Sequence, residues 1–179
     1  IYVDKEAVLK AGLSYEVYEW EKEFLEKLTN KLTLCSFVDT DYNNLPMWAY
    51  YANNHHGYCI RYKIRRKEIF FRVLYADTSA PVTSLFLQYK MSCDKYAESD
   101  NTKEWQSSLE YAIQLFLSIK HISWKHEKEY RIICPYYKEF GNRVSNATMG
   151  LSILDITIGL NCEEKYRQKI LQFANAREI

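Results

Sequence analysis

Two glutamates with one residue between them, an arginine two further on and a lysine seven before the first are the residues of this chain best suited to chemistry. They lie in Lys120–Pro135, which reads K-H-I-S-W-K-H-E-K-E-Y-R-I-I-C-P. Paired carboxylates can divide the work of a general base and an electrostatic stabiliser. If Glu127–Cys134 is extended, side chains alternate between faces. Glu127, Glu129, Arg131 and Ile133 then share one face, and Lys128, Tyr130, Ile132 and Cys134 the other. A row of acid, acid and base is unusual for a core strand, because unpaired charge is costly to bury. Read structurally, the same row is a salt-bridged strand face.

Other groups could join them. Trp48, Tyr51, Ala52 and His55 are spaced to share one face of a short helix. His55 there could donate to a buried carbonyl or act as an acid or base in a cleft. His121 and His126 could bind a metal with a cysteine, but their spacing fits no standard site, so we expect no metal. Arg61 to Arg72 is the most basic window, with only Glu68 opposing six cations. Interleaved with Tyr62, Phe70 and Phe71, it could touch phosphates, or it could be a solvated strand end and turn.

Elements must position these groups. Ser14 can cap a helix over about 15–31, with Val17, Trp20, Phe24 and Leu28 as its apolar stripe. Leu32–Val38 is branched and aromatic, hence a strand. Pro46 suits a helix start and Gly57 a left-handed exit, which frames a helix over Met47–His55. Tyr58–Ile64 alternates as a half-buried strand, and Val73–Ala76 is another. Pro81–Met91 reads as a helix and Cys93–Asn101 as a loop. Thr102 can cap a helix reaching Ile119. Tyr136–Gly150 is loop-like and Leu151–Gly159 is the clearest strand. Asn161 and Glu164 have capping-box spacing before a last helix over Cys162–Ala176. The sum is α+β: a mixed or antiparallel sheet of short strands with about five helices, in a single domain over 1–179.

Composition narrows the class. Charges nearly cancel, at 24 basic and 23 acidic residues, so no global field points to nucleic acid or a membrane. Sixteen tyrosines favour a partly polar core or a broad binding surface. Cys35, Cys59, Cys93, Cys134 and Cys162 are odd in number and widely spaced. We read them as small buried residues in a reducing cytoplasm. No apolar run is long enough to cross a bilayer, and the residues present carry no signal-peptide pattern. The first residue is Ile1 rather than Met, so we expect an N-terminal piece upstream.

Two motifs carry a resemblance. W-x-x-Y-A-x-x-H-x-G-x-C-I stands as Trp48, Tyr51, Ala52, His55, Gly57, Cys59 and Ile60. K-x-x-x-W-x-x-E-x-E-Y-R-I stands as Lys120, Trp124, Glu127, Glu129, Tyr130, Arg131 and Ile132. With the I-T-I-G strand near the end, they resemble a bacterial family known as domain of unknown function 2971. That resemblance implies an additional N-terminal strand and a bacterial cytoplasmic protein associated with phage-defence and toxin genes. It implies no reaction. A weaker resemblance is to the ADP-ribosyltransferase fold, through E-K-E-Y-R-I-I-C-P and a preceding serine strand at Cys35-Ser36-Phe37. It implies that Glu129 binds the nicotinamide ribose of NAD, that Glu127 accepts a proton from the acceptor, and that Ser36 shapes the nicotinamide pocket. Trp48, Tyr51, His55, Arg131 and Lys120 would complete the substrate site, with a protein or nucleic acid as acceptor.

Two functions follow from these readings. An NAD-consuming defence toxin requires a cleft beside Glu129 opening onto Trp48, Tyr51 or Ser36. A non-catalytic module that binds a protein or a nucleotide requires Glu127 and Glu129 to be tied up by Arg131, Lys120 or Arg61. A nuclease is a third reading, resting on the carboxylates, the histidines and the basic window.

Overall fold

The computed structural model describes residues 3–30, 32–39, 43–99, 102–135 and 144–179. The fold is α+β. The chain divides into two compact units, one of residues 1–37 and 71–142, the other of residues 38–70 and 143–179.

In the first unit, helices α1 (Lys5–Lys10), α2 (Tyr15–Thr29), α4 (Ala80–Ser99) and α5 (Thr102–Phe116) build an apolar core. Val3, Val8, Tyr18, Phe86, Tyr89, Ala112 and Phe116 are its buried members. Helix α1 begins where Asp4 caps it, its Oδ1 accepting from Ala7 N at 3.2 Å. The sequence shows little periodicity there, because six residues are too few to display it. On α2 the inward residue is Tyr18, not Trp20. Trp20 is 63% exposed and stacks on Phe24. Helix α4 runs on through Ser99, across residues read as a loop; that polar stretch is helical, and Asp94 on it pairs with Lys90 one turn earlier.

The strands of this unit are short. Strands β1 (Leu32–Val38), β6 (Glu129–Pro135) and β3 (Phe71–Arg72) form one sheet with β6 central. Strands β3 and β6 are antiparallel, with Phe71 opposite Arg131. Strands β4 (Leu74–Ala76) and β5 (Ile119–His121) form a parallel pair, with Tyr75 opposite Lys120. Ile119 therefore opens a strand rather than closing α5.

The second unit is a two-stranded antiparallel sheet, β2 (Tyr58–Ile64) against β7 (Leu151–Ile158), with α3 (Leu45–Tyr51) and α6 (Glu164–Asn175). Helix α3 stops four residues short of its expected end. Asn53, Asn54 and His55 all take positive φ, at 47°, 51° and 66°, a backbone that cannot continue a right-handed helix. The left-handed exit thus falls on these three residues and not on Gly57. Close approach explains both glycines of this corner. A Cβ on Gly159 would lie 2.1 Å from the His55 carbonyl oxygen, and one on Gly57 3.2 Å from Ala52 Cα. No capping box forms before α6. Asn161 Nδ2 donates instead to the Asn54 carbonyl at 3.0 Å, tying the left-handed loop to the end of β7. The loop read at Tyr136–Gly150 is a turn over its last residues, 146–150; residues 136–143 lie outside the described ones.

No helix among the described residues is long and apolar enough to cross a membrane. Of the cysteines whose side chains are described, Cys162 is buried and Cys59 half-buried. Cys35 is exposed, contrary to expectation, because it sits on an open stretch of β1. Burial and the nearby charge of Asp155 push the Cys59 thiol above its usual pKa.

Candidate functional site

The two glutamates meet, but not as members of one strand. Glu127 closes a 3-10 turn over Ile122–Glu127, which His121 caps by accepting from Ser123 N at 3.3 Å. Lys128 then takes a left-handed conformation at φ 48°, and only Glu129 begins β6. The expected extended run over Glu127–Cys134 is therefore interrupted. Both residues are 2% exposed, among the most buried of the described charges.

Lys120 holds them together. From β5 its Nζ reaches Glu127 Oε2 at 2.5 Å and Glu129 Oε2 at 2.9 Å. Its ammonium also lies 4.9 Å from the centre of the Trp124 ring. Arg131 is two residues beyond Glu129 on the same strand face, as alternation predicts. Its Nε donates to Glu129 Oε1 at 2.7 Å and its Nη2 to Oε2 at 3.2 Å, while Nη1 donates to the Leu117 carbonyl. From the neighbouring strand, Ser36 Oγ donates to Glu129 Oε1 at 2.5 Å. The backbone is fixed as well: Glu129 N donates to the Tyr75 hydroxyl at 2.8 Å, and Val73 N donates to the Glu129 carbonyl at 2.9 Å.

Four donors therefore fill the two oxygens of Glu129, about as many as a carboxylate accepts. Burial alone would raise its pKa, but the donors Arg131, Ser36 and Lys120 prevail and lower it to about 2. Partial burial likewise works against the charge of Lys120, yet its two carboxylate partners raise its pKa. Two acids and two bases make the cluster neutral. A carboxylate held so far below neutrality is a feeble base, and further donors reach it only by displacing those present.

Trp48, Tyr51 and His55 belong to the second unit, whereas Ser36, Lys120, Glu127, Glu129 and Arg131 belong to the first. Trp48 is buried and stacks on His55, with ring centres 5.2 Å apart and planes at 13°. Tyr51 faces outward at the end of α3. His121 and His126 are exposed and bonded locally, to Ser123 Oγ and to the Ser123 carbonyl. Among the described residues, no group of three or more His, Cys, Asp or Glu is arranged to hold a metal. Tyr75 and the Leu117 carbonyl serve the acid cluster without any mark in the sequence. Gly159 and Asn161 serve the left-handed loop; Gly159 is marked by the I-T-I-G ending of its strand, and Asn161 only by a capping-box spacing that points to a different role.

Residues 47–132 match the model of the family described as Protein of unknown function (DUF2971). That stretch, just under half of the chain, is similar to this family. The matched segment runs from α3 to the middle of β6, and so includes Trp48, His55, Tyr75, Lys120, Glu127, Glu129 and Arg131. Ser36, Gly159 and Asn161 fall outside it. No curated protein and no solved structure matches the chain.

Proposed function

We propose that the protein is a non-catalytic recognition module and that its acid pair is a structural ion cluster. One observation carries this reading: Glu129, buried and lowered to a pKa of about 2, has both oxygens filled by Ser36, Lys120 and Arg131. The same Lys120 neutralises Glu127. A group so occupied serves neither as a proton acceptor nor as a ready acceptor for a ribose hydroxyl. Recognition would fall to the second unit, whose surface presents Leu45, Tyr50, Tyr51, Tyr58 and Leu160 at half exposure or more. Large side chains with a polar tip suit a protein partner, since tyrosines bury broad rings at low entropic cost. The test is to incubate the full chain with NAD and follow nicotinamide. We expect none to be released, and release that disappears in Glu129→Gln overturns the reading.

A second reading is favoured by one contact. Ser36 and Glu129 touch across adjacent strands, the two positions that the ADP-ribosyltransferase resemblance assigns to the NAD site. In that reading the protein is a bacterial defence toxin acting in the cytoplasm. Glu129 exchanges Lys120 for the nicotinamide ribose, and Glu127 takes the proton of a protein or nucleic-acid acceptor. It requires Lys120→Met to retain nicotinamide release where Glu129→Gln does not. No observation among the described residues favours a nuclease over these two.

A further inference from the structure

The chain's formal charge of +1 is unevenly spread. Residues 1–37 and 71–142 hold 14 basic and 16 acidic residues, a net −2. Residues 38–70 and 143–179 hold 10 and 7, a net +3. Half of those 10 cations fall within seven residues: Arg61, Lys63, Arg65, Arg66 and Lys67, all exposed.

Two of the five are engaged. Arg61 lies on Asp155 of the facing strand, its Nε at 2.8 Å from Oδ2. The stem of Arg66 lies over Gly150, where a Cβ would come within 2.6 Å of its Cγ. Its head donates to Glu68 at 3.1 Å and to the Thr148 carbonyl at 3.3 Å. Lys63, Arg65 and Lys67 form no ion pair with a described carboxylate. Strand spacing sets Lys63 and Arg65 about 7 Å apart on one side of β2 and its exit, with Lys67 in the turn that follows.

We infer that Lys63, Arg65 and Lys67 form a face that binds the phosphate backbone of a single-stranded nucleic acid. A narrow row of cations follows one sugar–phosphate chain, and charge complementarity supplies the attraction. The alternating side chains on the other side of β2, Tyr58, Ile60, Tyr62 and Ile64, are those that would otherwise offer stacking or apolar contact. The cationic row therefore binds electrostatically and without sequence preference. A membrane surface fits less well, because at about 1 kcal/mol per cation three charges hold a bilayer only weakly. This inference stands independently of whether Glu129 is catalytic.

The test is fluorescence anisotropy of the full chain with a labelled 20-nucleotide thymidine or uridine strand. Three phosphate contacts give a log–log salt slope of about −2, so raising salt from 50 to 200 mM weakens binding about 20-fold. Lys63→Gln, Arg65→Gln and Lys67→Gln combined should flatten that slope and weaken binding at least tenfold at 50 mM. An equal charge change on α6 and its exit, Lys165→Gln, Lys169→Gln and Arg177→Gln, should alter affinity less than twofold. The substituted residues are exposed, so the circular dichroism spectra of both variants should match the parent. Absence of binding at 50 mM overturns the proposal, as does equal weakening by the two variants. Equally tight capture by phosphatidylglycerol vesicles, lost in the same triple variant, overturns the choice of nucleic acid.

Discussion

Glu129→Gln removes one charge from a buried neutral cluster and leaves the shape of the side chain almost unchanged. In the folded protein the carboxylate has a pKa of about 2 against an ordinary 4.5, a difference equivalent to about 3 kcal/mol of stability at neutral pH. Breaking one partner out of a buried ion pair typically costs about 3–5 kcal/mol, so two routes agree. For a chain of this size the melting temperature should fall by about 6–12 °C. Because the folded pKa is depressed, the contribution is fully present above pH 4.5 and is lost as pH falls towards 2. Glutamine does not titrate. Urea midpoints should therefore show a constant gap between parent and variant from about pH 5.5 to 7.5, narrowing by about 1.4 kcal/mol per pH unit below 4.5. Adding Arg131→Met should restore part of the loss, since it removes the cation left facing a neutral partner. A gap under about 1 kcal/mol at pH 7, or one that does not narrow in acid, refutes the reasoning.

Other outcomes follow from the same geometry. Lys120→Met should cost about 3–5 kcal/mol in urea unfolding, because it strips the shared cation from two buried carboxylates. Gly159→Ala drives a methyl into the His55 carbonyl, and hydrogen exchange should show residues 53–57 losing protection while the α4 and α5 core keeps its own. Trp48→Ala should cost about 3–5 kcal/mol through lost burial and the lost His55 stack, read from denaturant midpoints. Replacing Asp155 with Asn, by contrast, should move stability by about 1 kcal/mol or less, since its pair with Arg61 is exposed.

Much of the framework was legible in the sequence because it rests on local pattern. Strands β1, β2 and β7 and helix α2 begin and end close to where branched runs, alternation and caps place them. The face shared by Glu129 and Arg131 was legible for the same reason, since alternation needs only that the strand exist. What resisted reading depends on distant partners. Nothing near Tyr75 or Leu117 in sequence says that their oxygens serve Glu129 and Arg131. Helix α3 ends early because Gly159 and Asn161, about 100 residues away, hold three left-handed residues in place. Trp20 sits on the apolar stripe of α2, yet the neighbouring helices leave it outside and take Tyr18. Nor does spacing alone tell a cluster of carboxylates that works from one that is neutralised. The difference lies in where Lys120 and Ser36 arrive from.

Lys128 gives the E-x-E spelling a different meaning here. In an unbroken strand its middle position favours branched and aromatic side chains, chosen by the sheet. With the backbone turned left-handed at that point, the position should instead accept glycine, asparagine or aspartate and reject valine or isoleucine. Saturation mutagenesis of this one codon would thus report the local backbone without a diffraction experiment. Sequences that share the two acids but carry a branched spacer would bring them together by another path.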